Sequence, residues 1–174
     1  MSGTNPATPG SPAGVTPGAS PLDLSMMARA LALADQAAAL GEVPVGAVVY
    51  RTSDGTILGE GFNRREIDKD PAAHAEFAAI MAACKTIRDW RLNDCSLAVT
   101  LEPCAMCAGL IVNARVGRVL YGAEDPKAGA CRSLFAITTD TRLNHRAELV
   151  SGVMAEESAT KLRAFFRNLR AQGG

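Results

Sequence analysis

Apolar segments, separated by short polar breaks that carry glycine, proline or aspartate, divide the chain from Ser20 onward into alternating helical and extended stretches. The first starts at Ser20-Pro21-Leu22-Asp23, an N-cap followed by a proline at the first helical position and an acid at the third. It runs to about Leu40 and ends at Gly41. Val45 to Arg51 reads as a strand, Thr52-Ser53-Asp54-Gly55 as a turn, and Ile57 to Phe62 as the returning strand of a hairpin. Asp70-Pro71 caps a second, alanine-rich helix over Ala72 to about Ile87. A strand over Ser96 to Leu101 leads through Glu102-Pro103 into a third helix, Cys104 to about Ala114, and Arg118 to Tyr121 forms another strand. That succession predicts a strand, a crossover helix and a parallel strand. Glu148 to Gly152 is a candidate fifth strand, and Ala155 to Arg170 a closing helix with Leu162, Phe165, Phe166 and Leu169 at helical spacing. Strands alternating with helices predict an α/β layered fold.

Residues 1–21 break this pattern, holding five of the nine prolines and no charged side chain. Their apolar content is too low to offset the entropy of ordering, so they are expected to form a disordered tail ahead of one domain over residues 22–171. At 174 residues the chain is long enough to bury a core without a disulfide or structural metal. Hydrophobic residues make up 48% and charged ones 21%, and no run approaches the roughly 18 apolar residues of a membrane span. An odd cysteine count of five and the lack of a secretory signal pattern fit thiols or metal ligands in a reducing cytosol.

Eighteen basic residues balance eighteen acidic ones, so composition lends no support to a strongly basic nucleic-acid binder. Charge is nevertheless uneven, because Lys161, Arg163, Arg167 and Arg170 form a C-terminal stretch without an acid among them. Such a stretch either meets phosphates or is a solvated helix face.

Candidate chemistry lies in His74-Ala75-Glu76, near the start of the second helix, and in Pro103-Cys104-Ala105-Met106-Cys107, where a strand enters the third. Cys104 and Cys107, three apart at a helix start, project from one face and can grip a single ion. Alone, Cys-x-x-Cys also fits a redox pair or half of a structural zinc site, and a lone histidine is more often an ordinary polar residue. Their conjunction narrows the choice. The chain has two histidines, and neither His145 nor any other cysteine makes the second pair that would complete a four-ligand structural site. Three ligands leave one position open, as metal-assisted hydrolysis requires. The metal lowers the pKa of bound water from about 15.7 to about 7, a shift worth roughly 12 kcal/mol. Cys84, on the same expected helix as His74, lies about 15 Å along its axis, and Cys95 lies roughly 20 Å from Cys104 along the strand. Cys131, in an irregular glycine-rich segment, stays open as a fourth ligand. Glu76, on a different helix face from His74, is expected beside the metal as a proton carrier.

His-x-Glu followed about thirty residues later by Pro-Cys-x-x-Cys resembles the zinc nucleoside and nucleobase deaminases. The surrounding text narrows the likeness: Glu42-Val43-Pro44-Val45-Gly46-Ala47-Val48, Gly61-Phe62-Asn63-Arg64, Thr100 through Gly109, Gly122 through Ala130, and Leu143-Asn144-His145-Arg146. Together these resemble the bacterial tRNA adenosine deaminases from about residue 23 to about residue 170. The resemblance implies a three-layer α/β/α cytidine-deaminase-like fold with a mixed five-stranded sheet. It implies conversion of adenosine to inosine at the wobble position of a tRNA anticodon stem-loop, by a cytoplasmic homodimer with one zinc per subunit. His74, Cys104 and Cys107 would bind the zinc, and Glu76 would shuttle protons during attack on C6 of adenine. Asn63 would hydrogen-bond the flipped base, Ala75 would meet it through its backbone, and Val45 would line the pocket. Asp125 and Asn144-His145-Arg146 would lie near the anticodon nucleotides.

The chain departs from the family in places. Phe62 stands where some members carry Trp and is read as lining the same pocket, while Cys131-Arg132 replaces small residues. Glu124 and Asp125 place two acids in the substrate loop, which repel phosphates unless Lys127 and Arg132 offset them. Two other readings compete: a deaminase of free guanine, cytosine or a nucleotide, which the neutral charge favours, and a zinc-stabilised RNA-binding module without turnover. The latter has no use for Glu76. Cys84 and Cys95 are read as ordinary thiols, and Trp90 as a packing residue.

Overall fold

Ser20 caps the first helix, α1 (Pro21–Ala39), as its residue types require. Its hydroxyl accepts from the Asp23 amide at 3.2 Å, and the Asp23 carboxylate accepts from the Ser20 amide at 2.7 Å. The computed structural model describes residues 18–172, so most of the expected tail lies outside the described residues. Its last residues are tied down: the Gly18 carbonyl accepts from Arg118 at 2.7 Å. Arg118 also donates to Asp23 at 2.7 Å, and the Tyr50 hydroxyl donates to the same carboxylate. Burial alone would raise the Asp23 carboxyl, but the hydrogen bonds from Arg118, Tyr50 and Ser20 outweigh it and hold the group below its ordinary range.

The predicted hairpin forms from β1 (Gly46–Arg51) and β2 (Ile57–Phe62), with the turn closed at Gly55, where φ is 74°. With β3 (Cys95–Leu101), β4 (Arg118–Ala123) and β5 (Glu148–Ser151) they make a five-stranded sheet of order β2-β1-β3-β4-β5. The sheet is mixed. β1 runs antiparallel to β2 and β3, whereas β3–β4 and β4–β5 are parallel pairs. The crossover helix α4 (Ala105–Asn113) joins the first parallel pair. Side chains alternate between two cores. Val49, Leu97, Val99, Val119 and Tyr121 pack on the side of α3 (Ala75–Ile87) and α4, whereas Val48, Tyr50, Ala98, Leu120 and Val150 pack on the side of α1. Burial on both faces makes the central strands read as unbroken apolar runs. The closing helix α5 (Ala155–Gln172) lies with α1, its Ser158 so near Gly122 that a Cβ there would sit 2.2 Å from the hydroxyl oxygen. The result is the three-layer α/β/α fold with a mixed sheet.

Alanine richness in α3 has a packing cause. Gly59 and Gly61 of β2 let the helix backbone approach so closely that a Cβ on Gly61 would lie 2.4 Å from the Ala75 carbonyl and 2.7 Å from the Ala78 methyl. Only small side chains fit between them. Gly61→Ala is therefore expected to lower stability by about 1–3 kcal/mol, read by thermal denaturation, and to displace the helix start that carries the candidate chemistry.

Three features add to or change the expected elements. A short helix α2 (Arg65–Asp68), with Arg64 paired to Asp68 at 2.8 Å, precedes α3 and was not predicted. The second predicted helix starts at Ala75 rather than Ala72. Asp70 captures the Ala72 amide with its carboxylate at 2.8 Å, and the Ala73 and His74 amides donate to the carbonyls of Asp70 and Ala72. These local turns compete with helix, leaving His74 extended at φ −83°, ψ 153° as the N-cap. Lastly, of the α5 residues at helical spacing, Leu162 and Phe165 are half-buried, whereas Phe166 is 41% and Leu169 54% exposed. Of its basic residues, Lys161 pairs with Asp35 of α1 and Arg163 with Glu156, and no acid pairs with Arg167 or Arg170 among the described residues. No helix among the described residues is long and apolar enough to cross a membrane.

Candidate metal centre and active-site cavity

The starts of α3 and α4 meet at the ends of β1 and β3. His74 and Cys104 are the N-caps of these helices, and neither side chain is spent on a capping hydrogen bond. Both are free to turn toward a common point, where Cys107, in the first turn of α4, joins them. His74 Nδ1 lies 3.7 Å from Cys104 Sγ and 3.6 Å from Cys107 Sγ, and all three donor atoms fall within 4.8 Å of one another. Tetrahedral zinc with bonds of about 2.3 Å to sulfur and about 2.0–2.1 Å to nitrogen separates such donors by roughly 3.6 Å. The donor types and spacing therefore fit that ion without rearrangement. Helix N-termini add a favourable field for thiolates.

Without a metal, the cluster shares its protons unevenly. Hydrogen bonds with Cys107 and His74 hold the Cys104 thiol down to about 3. The Cys107 thiol is pushed up, first by its hydrogen bond with Cys104 and then by burial. His74 is raised, chiefly by its hydrogen bond with Cys104. The pair thus resembles a thiolate against an imidazolium, and a divalent cation would displace the remaining protons. Cys131, left open as a fourth ligand by spacing, is not part of the cluster. It is 1% exposed in the core, and burial pushes its thiol up to about 12.

A cavity of about 280 Å³ opens beside the cluster, lined by Val45, Asn63, His74, Ala75, Glu76, Cys104 and Asp125 among others. Most of the residues assigned by resemblance are thus brought together. Glu76, in the first turn of α3, is 4% exposed, and burial raises its carboxyl above the ordinary range. Asn63 follows β2 and its amide donates to the Val45 carbonyl at 3.0 Å, which fixes both at the cavity wall. Asp125 turns its carboxylate onto the Lys127 and Ala128 amides at 2.9 and 3.2 Å. The offset expected from Arg132 does not form. Its guanidinium reaches Ser151 instead.

Other assignments fall elsewhere. Asn144, His145 and Arg146 do not line the cavity; Asn144 and Arg146 are exposed, and His145 Nε2 lies 2.8 Å from the Val116 carbonyl. Phe62 packs against the α1-side core rather than lining the pocket, because its strand position faces that layer. Trp90 is no core packing residue. It is 50% exposed, with the Arg91 and Arg115 guanidinium carbons 4.2 and 5.9 Å from its ring centre.

Sequence reasoning missed two buried carboxylates. Glu42, 1% exposed, accepts from Asn63 Nδ2 at 3.1 Å and from the Ile67 amide at 2.7 Å. A carboxylate can only accept, so it fixes which end of the Asn63 amide faces it. Glu102, 2% exposed, accepts from the loop that follows β4. Burial would raise its carboxyl, but hydrogen bonds led by Ser133 outweigh that and lower it. An acid within an otherwise apolar motif was the available signal, since a buried charge needs several donors.

Known proteins are similar to this chain over most of its length. The family model described as MafB19-like deaminase matches residues 23–170. A tRNA-specific adenosine deaminase of Haemophilus influenzae is 47% identical over 153 residues, 88% of either chain. That of Bacillus subtilis is 46% identical over 144 residues, covering 83% of this chain and 88% of its own. A solved structure from work on A-to-I editing by tRNA:A34 deaminases at the wobble position superposes with a TM-score of 0.75 at 40% identity, over 79% of this chain and 99% of the other.

Proposed function

The chain belongs to the tRNA-specific adenosine deaminases, within the MafB19-like deaminases, and from that membership and the cavity's geometry we propose that it converts adenosine to inosine at the wobble position of tRNA. The observation that carries this reading is the convergence of a His74/Cys104/Cys107 donor cluster and the buried carboxylate of Glu76 on one cavity. His74, Cys104 and Cys107 would hold one zinc ion per subunit, which when bound would supply the Lewis acidity that makes water a nucleophile near neutral pH.

The chain's own residues do the rest. Glu76 takes a proton from the attacking water as its oxygen bonds to C6 of adenine, and delivers it to N1 of the ring. Glu76 then passes the remaining proton of the new C6 hydroxyl to the amine, so the C6–N bond breaks, ammonia leaves and the C6 carbonyl of inosine remains. Asn63 and the Ala75 backbone hold the flipped base, with Val45 as an apolar wall. Asp125 lies at the mouth, where it would meet the nucleotides flanking the target. Asn144, His145 and Arg146 would engage the anticodon stem-loop away from the base pocket. The protein acts as a cytoplasmic homodimer in this reading. Exposed Met81, Met106, Leu134 and Phe135 offer apolar surface that a second copy would cover.

The test is inosine formation by zinc-loaded protein on an anticodon stem-loop with adenosine at the wobble position, beside free adenosine, guanine and cytosine. Deamination of the stem-loop alone is expected. Turnover of only a free base would keep the zinc chemistry and overturn the RNA assignment.

A further inference from the structure

Glu102, which itself lines the cavity, has no part in the chemistry above, yet its carboxylate accepts five hydrogen bonds from the cavity's surroundings. It follows β3 and immediately precedes Pro103-Cys104. Its Oε1 accepts from the Cys131, Arg132 and Ser133 amides at 3.2, 2.7 and 2.9 Å. Its Oε2 accepts from the Asp125 amide at 3.1 Å and from the Ser133 hydroxyl. All these donors belong to one loop, residues 125–133. Successive amides of this kind form a concave anion site, and here the anion is a side chain of the protein itself.

The same loop is stitched to the metal turn by backbone. The Ala130 amide donates to the Pro103 carbonyl at 2.8 Å, and Gly129 bridges to Cys104. Gly129 has to lack a side chain, because a Cβ there would stand 2.4 Å from the Glu102 carboxyl carbon. A carboxylate has two acceptor oxygens and no donor, so among side chains of this size it best matches a set of five donors, which its two oxygens share. An amide in its place would turn an N–H group against backbone N–H groups.

We propose that Glu102 is a positioning residue for substrate recognition: it clasps the 125–133 loop against the turn bearing Cys104, and so holds Asp125 and Ala128 in the cavity wall in register with the metal centre. The proposal rests on the reading that this loop meets the RNA.

The test uses full-length, zinc-loaded Glu102→Gln, followed by hydrogen–deuterium exchange and by steady-state deamination of the stem-loop. Loss of one charge-assisted hydrogen bond corresponds to about tenfold or more in opening. Amides of residues 125–133 should therefore exchange about tenfold faster with β3 and α4 unchanged, zinc should be retained, and KM for the stem-loop should rise about tenfold with little change in kcat. Ser133→Ala removes one donor without touching the carboxylate, and should show the same local pattern at smaller size even if Glu102→Gln does not fold. Unchanged loop exchange in both variants would overturn the clasp. Faster exchange spread over the sheet, or zinc loss with an unchanged KM, would reduce Glu102 to structural support and overturn its role in recognition. Absence of inosine with the wild-type protein would instead sink the function proposed above, while loop exchange would still decide the clasp.

Discussion

Glu76→Gln should leave zinc bound at about one ion per chain while deamination falls by at least about 10²- to 10⁴-fold, the range a positioned proton carrier contributes. Gln keeps the volume and one acceptor oxygen of Glu in a place that is 4% exposed, so packing around α3 barely changes. What it loses is the ability to take up a proton and release it. The donor cluster does not include Glu76, which is why metal content is expected to survive. Zinc measured by atomic emission and inosine measured by digestion and chromatography on the same sample separate the two roles. Loss of metal together with activity would mean that Glu76 helps hold the ion, and the division of roles between it and the cluster would fail. Retained deamination would mean that Glu76 is not the proton carrier.

Cys104→Ala and Cys131→Ser should behave oppositely. The first removes one of three donors whose separations match a tetrahedral ion, and its effect should exceed the roughly 10–100-fold loss in metal affinity that follows removal of a mere supporting residue. Zinc and inosine formation are both expected to vanish. The second changes a thiol that burial keeps protonated and that lies outside the cluster, so zinc stoichiometry should be unchanged. A modest loss of stability, of about 1 kcal/mol, is the expected cost of placing a hydroxyl in that apolar site. Zinc lost from Cys131→Ser would point to a closed four-ligand centre, which leaves no position for water.

Local features were readable where local rules decide them. Ser20, Pro21 and Asp23 specify the start of α1 because capping involves residues only three apart. The β1–β2 hairpin follows from two apolar runs around a glycine turn, and the parallel β3–β4 pair from the length of the connection between them. The start of α3 was misread because Asp70 supports either a helix cap or a turn, and the turn prevails through bonds to Ala72 and Ala73. That displacement matters chemically: an extended His74 directs its ring at the cysteines instead of joining a helix face.

By itself the sequence determined the order and type of the main elements and the identity of the three candidate ligands and the nearby acid. It did so because helix periodicity, capping and Cys-x-x-Cys spacing are short-range properties of the chain. Only the tertiary structure decided that His74, about thirty residues from the cysteines, shares their cluster, that Cys131 does not, and that Phe62 faces the other layer. It alone showed Phe166 and Leu169 of α5 to be exposed, and Glu42 and Glu102 to hold the cavity wall. Such facts depend on which distant donors and surfaces the packed layers bring within a few ångströms, and no short-range rule contains them.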